Sequence, residues 1–419
     1  MNENRTDASS RSIVPPSPKL SEEVMSSIAS MARNNDTPSV LKSSCSAIVH
    51  ASELDFTASH SYADATLRSV RAREIEAYAF DHVVAGLILS GNLSQASRAV
   101  CMIAGLENWV EFSVFDDIEG LSATVIEYGF EKENTVAVRL QKGAFIEPDS
   151  FSTMRRVYQT LSLFDHFARL RSEGSNAVLI DISDFGDKQT LSFSGHEIAN
   201  LVPDSFFLSD YGYLTLRKHF TSNWIPWKDR RDVFFWRGST TGMYSNWRDL
   251  PRIRLCQWGR DRGSPIDFLI SDMVQRSERE KSEIMQESIC GNHVPANKFI
   301  EFKYHVDIDG NTNSWPGLFI KLLTGSPVLK VESENNWKQW YYDRLVPWSN
   351  YVPVSSDMSD LGEVVDKLTK NPSLAEAIGI NGRNLALDLS YVAELDRSVE
   401  KINRMSTEHS AFAARFQQD

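Results

Sequence analysis

Two stretches of this sequence combine residue types and spacing suited to chemistry. One is Ala177-Val-Leu-Ile-Asp-Ile182, an apolar run that reads as a short buried parallel strand, followed by the polar loop Ser183-Asp184-Phe185-Gly186-Asp187. In an α/β sheet the ligand lies beyond the carboxyl ends of the strands, so a carboxylate at Asp184 is well placed to take a proton from an attacking hydroxyl. A loop-bracing role is the alternative, and Asp181 and Asp187 compete for the same task. The other stretch is Gly310-Asn311-Thr312-Asn313-Ser314-Trp315, small hydrogen-bonding residues that run into a predicted helix from Trp315 to Leu323. A helix N-terminus behind such a loop binds anions, which suits the ribose and diphosphate of a nucleotide.

Three further groups bear on an anion. Asp307-Ile308-Asp309 stands directly before the loop, and carboxylates spaced by two hold divalent metals on diphosphates in some enzymes. Because the polar loop follows at once, backbone, Asn and Ser contacts are the preferred reading, with no metal and with Asp309 as a brace. Arg237-Gly238-Ser239-Thr240-Thr241-Gly242 reads as a turn after the strand Val233 to Trp236. Its glycines allow close backbone approach and its hydroxyls donate to phosphate oxygens; Arg237 either pairs with that phosphate or packs on Trp236. Arg252, Arg254, Arg260 and Arg262 belong to a predicted helix that starts near Pro251. Spacing by two sends Arg252 and Arg254 to different faces, so only one of them points at the turn. His219, His293 and His305 have no ligand-like spacing, and no serine-hydrolase elbow, P-loop or dinucleotide fingerprint occurs.

The elements that must position these groups follow from periodicity. Val157, Leu161, Phe164 and Ala168 recur at helical spacing and predict a helix from Ser152 to Arg171. Ala72 to Leu106 reads as a helical hairpin broken at Ser90-Gly-Asn92, and Glu111 to Arg139 alternates as strands. Pro327 to Val331 and Tyr351 to Val354 read as strands; 359–370, 373–387 and 391–405 read as helices. Helix and buried strand in alternation predict an α/β fold.

Composition narrows the class. The chain has 419 residues, 42% of them hydrophobic, which is ample for two cores. A net charge of −12 argues against nucleic acid or an anionic membrane as a general partner. Cys45, Cys101, Cys256 and Cys290 lack metal-type spacing and read as reduced thiols. The first residues show no apolar signal, and the apolar window Val83 to Leu89 falls well short of the ~20 residues a bilayer span needs. The expectation is a cytoplasmic protein, with peripheral contact at the inner membrane as a further option.

Taken in order, six segments resemble glycosyltransferase family 90: Leu201-Val-Pro-Asp-Ser-Phe-Phe207, Phe235-Trp-Arg-Gly-Ser-Thr-Thr-Gly242, Phe302-Lys-Tyr304, Asp309-Gly-Asn-Thr-Asn-Ser-Trp315, Lys321-Leu-Leu-Thr-Gly-Ser-Pro-Val-Leu-Lys330, and Leu345-Val-Pro-Trp348 through Asn350-Tyr-Val-Pro-Val354. The lipopolysaccharide-modifying branch is the most similar. The resemblance implies a GT-B architecture of two Rossmann-like domains across a cleft, a UDP-sugar donor, inversion at the anomeric carbon, and no metal or other cofactor. It matches Asp184 to the catalytic aspartate, Ser239 and Arg252 to donor-contacting residues, and Asn311 to Trp315 to the nucleotide loop. Where many members carry a diphosphate-binding arginine, Leu318 stands here; Lys321, Arg237 or Lys303 are then the expected sources of charge. Together with Gly238, Thr240 and Gly310 these form the expected donor site. The implied division is a mostly disordered lead-in over 1–65, an acceptor-side domain over 66–200, a UDP-sugar domain over 201–390, and a helix crossing back over 391–419. The expected acceptor is a hydroxyl of a glycan, glycolipid or lipopolysaccharide. A chain that binds nucleotide-sugar or glycan without transfer is the alternative.

Overall fold

The computed structural model describes residues 84–89, 91–104, 106–145, 150–186 and 189–412. The lead-in, Cys45, the hairpin's first arm before residue 84, and Asp187 lie outside these residues. The first unit contains helices α1 (Ala85–Leu89) and α2 (Leu93–Ala104), strands β1 (Trp109–Phe115), β2 (Val125–Gly129) and β3 (Thr135–Gln141), helix α3 (Ser150–Leu170), and strands β4 (Ala177–Asp181) and β5 (Leu191–Ser192). Its sheet has the order β1-β3-β2-β4-β5. The α3 stripe packs on this sheet: Val157, Leu161 and Phe164 are buried, and Phe164 stacks on Tyr128 at 3.7 Å.

The sheet is mixed, which corrects one expectation. The run from Ala177 was read as a parallel strand, but its long ladder is antiparallel, with β2, and only the two-residue β5 lies parallel to it. The link 130–134 between β2 and β3 is too short for a crossover, so β3 runs against β2; β4, reached from β3 through α3, keeps the direction of β3 and so also runs against β2.

The second unit is uniformly parallel. After α4 (Ser205–Ser209) and α5 (Leu214–Ser222) come β6 (Arg231–Ser239), α6 (Pro251–Arg262), β7 (Ile266–Asp272), α7 (Glu278–Gln286), β8 (Phe302–Asp307), α8 (Pro316–Leu323), β9 (Val328–Val331) and β10 (Val352–Val354). Helices α9 (Leu361–Lys370), α10 (Pro372–Asp388) and α11 (Tyr391–Met405) finish it. The strand order is β10-β9-β8-β6-β7, so the direction of winding reverses between β6 and β8. A ligand crevice forms where the connections diverge, beyond the carboxyl ends of those two strands. Ser239 ends one and Asp307 ends the other.

Arg237, Gly238 and Ser239 are strand, not turn. They pair with Leu269, Ile270 and Asp272 of β7. The sequence reading missed β7, and its ladder overrides the turn-like Gly-Ser composition. The chain then returns to the first unit: Leu395, Val399 and Ile402 of α11 join the core beneath the first sheet, and Lys401 donates to the carbonyls of Ile198 and Leu201 at 3.1 and 2.8 Å. The result is two α/β units bridged by α11, with a uniformly parallel, Rossmann-like sheet in the second unit only. Among the described residues no helix is long and apolar enough to cross a membrane.

Candidate active site

Arg252 organises the crevice between β6 and β8. It sits in the first turn of α6, where Pro251 occupies a position with no hydrogen bond to lose. Its guanidinium spreads over both strand ends. Nε donates to the Asp309 carbonyl at 2.9 Å, Nη1 to the Thr241 hydroxyl at 2.6 Å and to the carbonyl and hydroxyl of Ser239 at 3.2 Å, and Nη2 to the Ile308 carbonyl at 3.3 Å. Arg252 is buried, and Gly310 leaves it room: a Cβ there would lie 2.5 Å from Thr241 Oγ1 and 2.9 Å from Arg252 Nη2. Arg254 points elsewhere, to Glu334 at 3.1 Å.

Below the loop lies a buried cluster of opposite charges. Asp307 is fully buried and accepts from Lys321 Nζ at 2.8 Å and from the Ser314 hydroxyl. Lys330 Nζ stands 4.0 Å from both Asp307 Oδ2 and Asp309 Oδ1, with its side chain 8% exposed. Burial opposes the charge on Asp307, but Lys321 and Lys330 outweigh it and hold the carboxyl below its usual range. Burial pushes the Asp309 carboxyl up, with Lys330 and Ser333 in partial opposition.

The loop itself is held open at both ends. Gly310 N–H donates to the Thr312 carbonyl at 2.8 Å. Asn313 accepts from Ser194 Oγ at 2.7 Å and donates to the Trp337 carbonyl at 2.9 Å. Trp315 adopts φ 27°, a conformation non-glycine residues avoid, while Gln339 Nε2 fixes its carbonyl at 3.0 Å. Among the described residues no acceptor takes the backbone N–H groups of Asn311 to Trp315. These N–H groups lie in the segment just before the N-terminus of α8, a position that favours an anion.

The first unit closes the site from the other side. Asp184 Oδ1 accepts from Arg156 Nη2 at 3.0 Å, and Oδ2 accepts from Asn311 Nδ2 at 3.3 Å. The candidate base and the candidate donor loop, 127 residues apart in sequence, therefore meet. Phe185 and His196 pack on Trp337 of the second unit at 5.9 and 4.4 Å.

Residues 214–393 match the glycosyl transferase family 90 profile. This region, a little under half of the chain, is similar to glycosyltransferase family 90. Human protein O-glucosyltransferase 3 is 29% identical over 156 residues, covering 37% of this chain and 29% of the human protein. The O-glucosyltransferase rumi of Drosophila pseudoobscura pseudoobscura is 28% identical over 172 residues, covering 38% of this chain and 36% of that one. The chain thus spans about a third of the length of these relatives. A crystal structure of Anabaena HepE in complex with UDP-glucose overlaps 77% of this chain and 82% of that one, at 11% identity and a TM-score of 0.33, too loosely to weigh on the site.

The family 90 match includes Ser239, Arg252 and the 310–315 loop and excludes Asp184. Not every expected donor residue reaches the crevice. Arg237 turns to β7, where it pairs with Asp267 at 2.8 Å and covers Phe235. Lys303 lies at the amino end of the sheet, beside Asp232 at 3.4 Å and Trp227. The Thr240 hydroxyl is spent on Val274, donating at 2.7 Å and accepting at 3.0 Å. Gly238 faces the Trp236 indole, which a Cβ would meet at 2.5 Å. Lys321 does lie under the loop. Leu318 is fully buried in the core between the α5 and α8 helices, so its position does not face the crevice. Gly317 does: a Cβ there would meet Ser314 Oγ at 2.9 Å and Lys321 Nζ at 3.4 Å. Arg156 and Lys330 were not singled out. A lysine inside the apolar run Pro327 to Val331 was the available signal for Lys330, because an unpaired lysine is rarely buried; Arg156 had none beyond its place beside a helix stripe.

Proposed function

We propose that this chain is an inverting, metal-independent glycosyltransferase that moves a sugar from a UDP-sugar to a hydroxyl of a glycan or glycolipid acceptor, of lipopolysaccharide or capsule type, in the cytoplasm. The observation that carries this reading is the contact between Asp184 and Asn311, which sets a carboxylate beside the loop suited to hold a diphosphate. In the proposed step, Asp184 takes the acceptor proton as the oxygen bonds to the anomeric carbon. The bond from that carbon to the diphosphate breaks on the opposite face, and the electron pair leaves with UDP. One displacement inverts the centre. The N–H groups of the 311–315 loop and the N-terminus of α8 face the developing charge, and such preorganised donors are worth about 2.7–4 kcal/mol each in comparable sites.

Metal independence is supported by the lysines. Lys321 bonds Asp307 at 2.8 Å and Lys330 stands 4.0 Å from Asp307 and Asp309, so the chain's own cations already balance the carboxylates that a divalent ion would need. The Leu318 departure does not favour a chain that binds without transfer, since that side chain lies in the core.

The test is a panel of UDP-sugars with an extracted glycolipid pool, followed by mass spectrometry, with and without chelator. Asp184→Asn is expected to bind UDP and lose transfer. An Asp184→Asn protein with parental transfer removes Asp184 from the mechanism, and transfer abolished by chelator removes metal independence.

A further inference from the structure

Arg156 is placed where it touches three parts of the site at once. From α3, its Nη1 donates to the Ile182 carbonyl at 2.6 Å and its Nη2 to Asp184 Oδ1 at 3.0 Å. The same guanidinium lies 4.9 Å over the ring of Trp315. Trp315 belongs to the nucleotide loop by its backbone and to the first unit's core by its ring, which meets Phe193 and Phe206 edge-on. Arg156 thereby joins the strand end before Asp184, the carboxylate itself and the far end of the loop.

We infer that Arg156 is the positioning residue for Asp184 and couples the orientation of that carboxylate to nucleotide at the 311–315 loop. The inference rests on the donor-site reading above. Both carboxylate oxygens are held, but unequally. Oδ1 takes a charge-assisted bond from a guanidinium anchored on a second acceptor. Oδ2 takes one long amide bond, 3.3 Å, from Asn311. For Asp184 to accept a proton from an incoming hydroxyl, the amide bond is the one that yields. Nucleotide on the loop competes for that same amide. Arg156 keeps Oδ1 and the plane of the carboxylate fixed while Oδ2 is released, so the base is armed after the donor is in place. Lysine reproduces this poorly, because one ammonium lacks the planar fork that spans carbonyl and carboxylate and stacks on an indole.

The experiment uses the full chain with Arg156→Met and Arg156→Lys. UDP affinity is measured by calorimetry, transfer at saturating donor by product formation, and amide hydrogen exchange over residues 182–186 with and without UDP. For Arg156→Met the expected result is kcat lower by about 100-fold, the effect of misplacing a reacting group by about an ångström, with a UDP affinity that changes by less than about ten-fold because the coupling to the loop is lost. UDP should alter exchange at 182–186 in the parent and not in Arg156→Met, and Arg156→Lys should recover about ten-fold in kcat. Arg156→Met with kcat near the parent overturns the inference. So does a parallel fall of affinity and kcat that Arg156→Lys does not rescue. UDP binding to the parent without any change at 182–186 overturns the coupling alone, whereas a parent that does not bind UDP overturns the donor reading.

Discussion

Lys330→Met removes the ammonium that stands between two buried carboxylates, and its consequences can be worked from distances. Lys330 Nζ is 4.0 Å from Asp307 Oδ2 and 4.0 Å from Asp309 Oδ1. At that separation and an effective dielectric constant of about 20, each attraction is about 4 kcal/mol before desolvation is counted. Lys321 stays on Asp307 Oδ1, so Asp309 is the group left with least compensation. Loss of one partner from a buried charge cluster costs about 3–5 kcal/mol net. Proton uptake by Asp309, whose carboxyl burial already pushes up, relieves part of this. A net loss near 3 kcal/mol lowers Tm by about 3–4 °C in a chain of this size, at about 2.1 cal/mol/K of unfolding entropy per residue. Methionine fills the lysine stem's space but leaves the two carboxylates facing a gap with no cation, so Mn²⁺ should now bind. At a hundred times its Kd, a ligand specific to the folded state restores about 2.7 kcal/mol. Differential scanning fluorimetry of parent and variant, in chelator and then in Mn²⁺, reads both effects. The expected pattern is a low Tm for the variant in chelator, a rise with Mn²⁺, and no rise for the parent. A parent whose Tm climbs with Mn²⁺, or a variant as stable as the parent, refutes the account of the lysines as built-in cations.

Three other outcomes are expected. Gly310→Ala places a Cβ 2.5 Å from Thr241 Oγ1 and 2.9 Å from Arg252 Nη2; UDP affinity should fall by at least about ten-fold by calorimetry, and unchanged affinity would show that the Arg252 brace tolerates displacement. Lys303→Met, at the amino end of the sheet, should leave UDP affinity within about two-fold, and a ten-fold loss would return Lys303 to the donor site. His305 is buried, and burial, helped by Lys321 and Arg230, lowers its pKa from 6.5 to about 3. As pH falls below 6.5 the unfolded chain gains a proton that the folded one refuses, so stability is lost as pH falls, by about 2 kcal/mol at pH 5. Denaturant titrations of parent and His305→Leu from pH 7 to 5 should show a shallower loss in the variant; equal slopes would count against it.

The readable parts of the sequence were those where local pattern and tertiary context agree. The α3 stripe, the Pro251 helix start and the boundaries of α11 follow from periodicity and from Pro and Ser at helix starts, and the structure has them within a few residues. The β6 boundary was misread because its last three residues look like a turn, and only the partner strand β7 makes them strand. Direction was misread at β4 because an apolar run states burial and not orientation; orientation came from the short β2–β3 link. At the site, Asp184 drew attention by its place after a predicted strand, Ser239 by the turn-like run after another, Arg252 by its place at a predicted helix start, and the 310–315 loop by its place before a predicted helix. Which of the basic residues face the crevice was not. Arg237 and Lys303 are as cationic as Lys330, but strand register sends one toward Asp267 and the other to the wrong end of the sheet.

That distribution of cations has a mechanistic consequence. All three nitrogens of the Arg252 guanidinium are engaged with loop carbonyls and hydroxyls, and Lys321 is engaged by Asp307. Neither side chain is free to follow a leaving diphosphate without breaking the bonds that shape the loop. Under the proposed reaction, their contribution is rigidity, and the charge that develops on the diphosphate is met by backbone N–H groups from Asn311 to Trp315. Backbone donors do not reorganise as charge grows, which is the condition under which electrostatic stabilisation is largest. The cost is carried locally, in the φ of 27° at Trp315 and in the buried Asp309 carboxylate. Both lie within the seven residues from Asp309 to Trp315, and both are held by side chains from elsewhere: Gln339 and Arg156 for the tryptophan, Lys330 beside the aspartate.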